Sequence, residues 1–569
     1  MHPATLNDFR LPLTSIRRDY WILILLALVV LSAGIGLRDP WPADEPRFNL
    51  VARQMWESGQ YLITYRGVEL YSDKPPMYMW LQVASYALTG SWRVAFLLPS
   101  LLAAIGTIAL LHDLARRLWS RRSAWWASAM LLLTLQFCFQ AKRAQIDAAL
   151  MLMMMVSLYG LLRHLLCGPN WRWYAIGWLA AGVATITKGV GFLTLLILLP
   201  YGWARWRGWS GITALGWRDW RWLTGPLCFV IAVCAWLLPM LQATYGSGDP
   251  ALIAYADDLL FRQTAERYVD SWHHEEPFYY YLGVIPAMWL PASLLLPWLL
   301  PAWRRRWRRG DARIWIPLLW ALMVVVFFSF SPGKRDVYIM PALPMVMLAA
   351  APLFAGLWRI RGAQRLAGIT ALLLSGILFL VGAWALLGEP SFALRRAPYL
   401  DGRDSELWWL ALTSGALGLA ACAWYRWRRG LLAYGALMVV FWALIYGWWG
   451  PAIINGVSSA RTVMENARTL VGPQITLGLV AWQEQNLLQA VPPATNFGFE
   501  RFDWGEQWIR AQAWLREDPA HRRIFIRDGI VDECLDLERV LDAGISNQRR
   551  WWIVPEQALI PGCVTVPEK

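Results

Sequence analysis

The amino-acid sequence predicts an all-α polytopic membrane protein of about 13 transmembrane helices, closed by a small C-terminal α/β domain. Three observations carry this. The 569 residues are 57% hydrophobic and only 16% charged, too little polar surface for a soluble chain of this length. The apolar residues fall in runs of roughly 17 to 25, the length that crosses about 30 Å of hydrocarbon as helix. The 40 tryptophans cluster beside these runs, as in Trp125-Trp126, Trp408-Trp409 and Trp448-Trp449, where indole rings settle among lipid headgroups.

The runs lie near 20–37, 93–115, 123–140, 147–166, 174–187, 189–204, 223–242, 281–301, 314–330, 338–357, 366–387, 407–425 and 430–450. The first follows Arg17-Arg18 and is long for a signal-peptide core, so it reads as an uncleaved helix. The short fifth and sixth could merge into one re-entrant unit. With a cytoplasmic N-terminus, alternation puts every arginine-rich connection on one side. These are Arg116–Arg122, Arg163–Arg172, Arg205–Arg221, Arg304–Arg309, Arg359–Arg365 and Arg426–Arg429. That is the positive-inside pattern of a bacterial inner-membrane protein. The first 450 residues carry +17 and the tail −3, which together give the net +14. Basic charge lying largely in short loops between apolar runs argues for membrane lipids and against nucleic acid as the partner.

The opposite, periplasmic side receives 38–92, 141–147, the turn at Lys188, 243–280, 331–337, 388–406 and the tail. Acids, histidines and isolated bases mix there, so chemistry is expected on that face. The chain divides into a transmembrane domain expected to carry the chemistry, 1–450, with loops 38–92 and 243–280, and a soluble periplasmic domain, 451–569. In the latter, Ile475–Val480 and Arg523–Arg527 read as strands, Gly505–Arg516 and Asp532–Leu541 as helices. Of seven cysteines, five lie in or beside apolar runs and read as small hydrophobes. Cys534 and Cys563, in the polar tail, either form a disulfide in an oxidising compartment or remain two thiols.

Several outer residues are candidates for chemistry, each with a plainer alternative. Asp44-Glu45-Pro46-Arg47 offers paired carboxylates beside a membrane surface to act as base or hold a cation; it also has the composition of a helix start. Lys74, ahead of Pro75-Pro76, is held extended and suits a phosphate, or snorkels at a helix boundary. Asp147, opening a span, is costly in lipid unless it faces a cavity or pairs with Arg143 or Lys142. Lys188, followed by Gly189 and Gly191, reads as an anion-binding turn or an ordinary hairpin. His273-His274-Glu275-Glu276 has the ligand chemistry of a zinc-like ion, or is a solvated loop. Lys334-Arg335-Asp336 with Tyr338 suits a phosphate or sugar, or forms an interfacial charge cluster. Met151–Met155 reads as core.

Taken in order, these motifs resemble a family. Asp44-Glu45-Pro46-Arg47 and then Asp73-Lys74-Pro75-Pro76 are similar to the C-type, polyprenyl-phosphate-dependent glycosyltransferases, in the branch of lipid A 4-amino-4-deoxy-L-arabinose transferase. Protein O-mannosyltransferases are more distant relatives. Arg143-Ala144-Gln145-Ile146-Asp147, Thr187-Lys188-Gly189, His273-His274 before Pro277-Phe278-Tyr279-Tyr280, and Ser331-Pro332-Gly333-Lys334 with Tyr338 and Pro341 continue the resemblance to about residue 360. It implies an inverting transferase, an undecaprenyl-type sugar-phosphate donor, and a lipid A or other glycoconjugate acceptor. On this reading Asp44 and Asp147 are catalytic, while Lys74, Arg47, Lys188, Lys334 and Tyr338 hold the donor phosphate. Glu45, Asp73, His273 and His274 are candidate ligands of a divalent metal. The branch usually has Glu where this chain has Asp73, one methylene shorter, which weakens a metal role there. A protein or other glycan as acceptor is the enzymatic alternative. A lipid or oligosaccharide transporter would instead line a continuous path through the spans with charge, and an assembly factor would be built around the tail.

Overall fold

A computed structural model describes residues 13–213, 215–216, 218–261, 275–400, 402–499 and 504–563. Among these, eight helices are long and apolar enough to cross a membrane: Trp92–Leu118, Ile146–Leu166, Trp220–Ser247, Ala312–Phe330, Asp336–Leu357, Arg361–Gly388, Asp404–Tyr425 and Trp427–Ser458. Two bent pairs raise the number to at most 10. The protein is thus mostly helical and multi-pass, with fewer continuous spans than the apolar runs predict.

The differences have local causes. The first run forms helix Leu13–Leu31, which carries Arg17, Arg18 and Asp19 and ends before Gly34 and Gly36, both at positive φ. The first of these glycines is also a close approach: a Cβ on Gly34 would sit 2.9 Å from the Gly447 carbonyl oxygen. The runs at 174–187 and 189–204 become helix Trp171–Lys188, a 3-10 segment Gly191–Ile197 and a short helix Leu198–Trp206. A Cβ on Gly191 would lie 2.2 Å from the Thr185 nitrogen, so the chain folds straight back onto the helix it has left. The runs at 123–140 and 281–301 bend by 69° and 99°. Pro286 and Pro291, which cannot donate to a helix ladder, sit at the second bend.

Helices Arg361–Gly388 and Asp404–Tyr425 pack along each other. Lipid supplies little hydrophobic drive between helices, so small residues set the approach. Cβ atoms on Gly382 and Gly415 would fall 2.5 Å from Leu412 N and 2.3 Å from Phe379 N.

The outer loop 38–92 folds on its own apolar face. Helix Asp44–Ser58 has two acids in its first turn and Gly59 in the left-handed conformation at its end. Phe48, Val51, Ala52 and Met55, at i, i+3, i+4 and i+7, are buried against Tyr78, Met79 and Val83 of helix Met77–Thr89. Between them lies a small hairpin, β1 (Tyr65–Arg66) and β2 (Glu69–Leu70).

Past Ser458 the chain forms a five-stranded mixed sheet from β3 (Thr476–Val480), β4 (Ala494–Asn496), β5 (Arg522–Arg527), β6 (Leu541–Ser546) and β7 (Arg549–Val554), in the order β4-β3-β5-β7-β6. β3 runs parallel to β4 and β5; β7 runs antiparallel to β5 and β6. Alternation along β3 and β5 sends Leu477, Leu479 and Phe525 toward helix Arg461–Val471, and Val480, Ile524 and Ile526 toward helix Trp504–Glu517. The predicted strands at 475–480 and 523–527 and the helix at 505–516 are present. The predicted helix Asp532–Leu541 is not. Only a 3-10 turn, Asp532–Cys534, forms there, because Cys534 is bridged to Cys563 and Leu535 pairs with Leu559. The helix at 427–458 also runs straight through residue 450.

Candidate active site

The site begins with a buried ion pair. Arg38 Nη1 and Nη2 donate to Glu45 Oε2 and Oε1 at 2.5 and 2.7 Å, with both side chains about 2% exposed. The backbone N–H groups of Trp41 and Ala144 complete Glu45's shell at 2.9 and 3.0 Å. Arg38 also donates to the Lys142 carbonyl at 2.8 Å. Loop 38–92 is thereby riveted to residues 142–144, which are distant in sequence.

This rivet decides where Asp44 goes. Its Oδ2 accepts from Gln145 Nε2 at 2.7 Å and from Arg335 Nη2 at 3.0 Å, and Arg47 Nη1 stands 3.9 Å from Oδ1. Burial pushes the Asp44 carboxyl up, but the Arg335 and Arg47 guanidinium groups outweigh it and hold it below the usual carboxylate range. Asp44 is therefore a half-buried carboxylate kept ionised.

Two residues beyond Gln145, Asp147 accepts from Lys188 Nζ at 2.5 Å. The Lys188 ammonium also lies 4.6 Å from the Tyr338 ring centroid, within cation–π reach. Lys188 can occupy this spot because Gly189, at φ 79°, ends the helix directly after it. Asp147, Lys188, Lys74 and Tyr338 line one pocket with Leu150 and Phe328, enclosing about 580 Å³ of empty space, mouth included. Lys74 Nζ donates to the Asp73 carbonyl at 2.6 Å. Two ammonium groups and one carboxylate thus face a partly apolar cavity.

Not every predicted residue reaches the pocket. Lys334 is buried with its ammonium on the carbonyls of Glu276, at 2.5 Å, and Pro332, at 3.4 Å, so it ties two loops together. Its neighbour Arg335 contacts Asp44 instead; the sequence marked the Lys334–Asp336 segment but could not tell which cation turns inward. Arg47 is turned toward the C-terminal region, its Nε on Glu484 Oε1 at 2.7 Å. Glu484 gave no signal in the sequence, lying in a segment without a motif. As a metal ligand Glu45 does not fit, since four protein donors already use its oxygens. His273 and His274 lie outside the described residues. Among the described residues no group of three or more His, Cys, Asp or Glu side chains is placed to hold a metal ion.

Residues 73–238 match the family model of dolichyl-phosphate-mannose-protein mannosyltransferases. The chain is 30% identical over 446 residues to the undecaprenyl phosphate-α-4-amino-4-deoxy-L-arabinose arabinosyl transferase of Pseudomonas paraeruginosa, covering 75% of each chain. The chain belongs to this arabinosyl transferase family. The Pseudomonas aeruginosa transferase (strain UCBPP-PA14) is 29% identical over 445 residues, again 75% of each chain. In fold, the transferase resembles crystal structures of ArnT from Cupriavidus metallidurans. The form bound to undecaprenyl phosphate gives a TM-score of 0.70 at 19% identity, over 95% of this chain and 98% of that one. The apo form gives 0.71 over 96% and 99%. The fold likeness therefore continues well past residue 360, where the motifs end.

Proposed function

We propose that this transferase moves 4-amino-4-deoxy-L-arabinose, or a closely related sugar, from an undecaprenyl-phosphate donor to lipid A at the periplasmic face of the bacterial inner membrane. The observation that carries this is the single pocket lined by Lys74, Asp147, Lys188 and Tyr338, with Asp44 tied to the same backbone segment through Gln145. The donor phosphate sits between Lys74 and Lys188, and its isoprenoid tail leaves along the apolar wall. An acceptor oxygen attacks the anomeric carbon. The bond from that carbon to the donor phosphate oxygen breaks, and the phosphate departs with the electron pair, stabilised by the two ammonium groups. Asp44 takes the proton of the acceptor oxygen where it carries one, and Asp147 fixes the Lys188 ammonium. Attack opposite the leaving group inverts the anomeric centre.

The periplasmic assignment rests on the arginine-rich loops at the opposite end and on the Cys534–Cys563 disulfide, a bond that persists in oxidising compartments. A divalent ion held by Asp73 with His273 and His274 is a separable part of the proposal, and no step above is routed through it. The helices up to Ser458 supply the membrane-embedded site, and the region beyond it supplies the soluble part, which reaches the outer loop through Glu484.

Purified Asp44→Asn and Lys74→Ala proteins should lose sugar transfer; either one working at the wild-type rate would overturn the assignment. Mass spectrometry of lipid A from a deletion strain should show loss of a pentosamine. An unchanged lipid A would redirect the search to protein or other glycan acceptors.

A further inference from the structure

A second pocket lies far along the chain from the site, between helices Arg361–Gly388, Asp404–Tyr425 and Gly430–Val440. It encloses about 800 Å³ of empty space, mouth included, and Leu372, Leu419, Cys422 and Ala433 line its apolar part. Its floor is set by glycine contacts. A Cβ on Gly430 would meet the Gln364 carbonyl oxygen at 1.9 Å, and Gly368 N at 2.5 Å. Gln364 Oε1 in turn accepts from Leu431 N–H at 3.1 Å, pinning two helix ends together. The cavity is therefore a fixed feature of the helix packing.

Its mouth is cationic. Arg426 and Trp427 stand on the pocket wall itself. Arg361 and Arg365 precede Gly368 and Leu372 at i, i+4, i+7 and i+11, so they continue the pocket-lining stripe of the same helix toward its N-terminus. Arg428 and Arg429 follow Trp427. Three of the other arginine-rich connections carry their own carboxylates: Arg116 and Arg117 pair with Asp113, Arg121 with Asp19, Arg221 with Asp219, and Arg306 and Arg313 with Asp311. Residues 358–366 and 423–433 contain no Asp or Glu, and the described residues place no acid on these arginines. An apolar slot under uncompensated guanidinium groups has the chemistry of an acyl chain below a phosphate.

We propose that this pocket binds one anionic glycerophospholipid of the bilayer, its acyl chain against Leu372 and Leu419 and its phosphate on Arg365 and Arg426. The site is separate from donor binding and stands whether or not the sugar and acceptor named above are correct. Losing two arginines beside an anionic headgroup should weaken retention by at least about tenfold. The test is native mass spectrometry of the full-length enzyme, delipidated and then exposed to phosphatidylglycerol or phosphatidylcholine in mixed micelles. Wild type should keep phosphatidylglycerol under activation that strips phosphatidylcholine. Arg365→Gln/Arg426→Gln, at exposed positions, should lose that preference, and Ala423→Trp should block the slot and lose both lipids. Equal retention of the two lipids by wild type, or unchanged phosphatidylglycerol retention in a monodisperse double variant, would overturn the proposal.

Discussion

Nε of Arg47, in the first outer loop, donates a 2.7 Å hydrogen bond to Oε1 of Glu484, in the helix that follows strand β3. The same carboxylate oxygen stands 3.8 Å from Arg66 of the hairpin. Because Arg47 also faces Asp44, the C-terminal region reaches the candidate base through a single intervening guanidinium. Glu484 is almost fully buried, so its charge is poorly screened by solvent. Its role is to position Arg47.

Glu484→Gln should lower kcat/KM for sugar transfer by about tenfold, chiefly through kcat, since misplacing a charged group near the reacting atoms costs orientation. Arg47→Ala should cost more. If Glu484 acts through Arg47, the double variant falls no further than Arg47→Ala alone. Strictly additive losses would show that Glu484 has another function.

Arg335 sets the protonation of Asp44. With Arg335 and Arg47 outweighing burial, the Asp44 carboxyl is held below its ordinary value, so the ionised form persists into mildly acidic solution. Arg335→Gln removes one of these charges and lets the value rise. The acidic limb of the kcat/KM profile should then move to higher pH, with activity at alkaline pH less affected. A limb that stays in place would remove Asp44 from the role of base.

The Arg38–Glu45 pair is structural. Removing one partner of a fully buried ion pair typically costs about 3–5 kcal/mol, because the other charge is stranded. Glu45→Ala should therefore lower the thermal midpoint of the detergent-purified enzyme sharply. Arg38→Met/Glu45→Met should recover part of the loss, as no charge is left buried. A Glu45→Ala protein with wild-type midpoint and wild-type activity would contradict the rivet.

Cys534 and Cys563 close a loop with a sequence separation of 29. Loop-closure entropy assigns such a bridge about 3–4 kcal/mol. Non-reducing electrophoresis of protein from the membrane should show a faster band that shifts on reduction. Cys534→Ser/Cys563→Ser should be more easily cut by protease in the C-terminal region. Identical mobility with and without reductant would mean the thiols are free.

Much of the architecture was legible because lipid is a simple solvent. Apolar runs, arginine-rich loops and the alternation of Leu477, Leu479, Ile524 and Ile526 each report burial directly, residue by residue. What a run of apolar residues does not record is continuity: Gly189, Gly191, Pro286 and Pro291 broke or bent stretches that composition reads as spans. In the tail, strands β6 and β7 escaped notice because Trp551, Trp552 and the flanking arginines give no clean period, and a disulfide overrode helical spacing at 532–541.

The residues of the pocket divide the same way. Their types and order, with Lys74 before a double proline, Asp147 opening a helix and Lys188 before a glycine, were set by the sequence, because backbone restriction and desolvation act on neighbours along the chain. Which cation faces Asp44, why Glu45 is unavailable as a ligand, and how Glu484 enters the site were decided only by tertiary structure. Those outcomes depend on hydrogen-bond directions between segments 99 to 437 residues apart, and no local pattern encodes such directions.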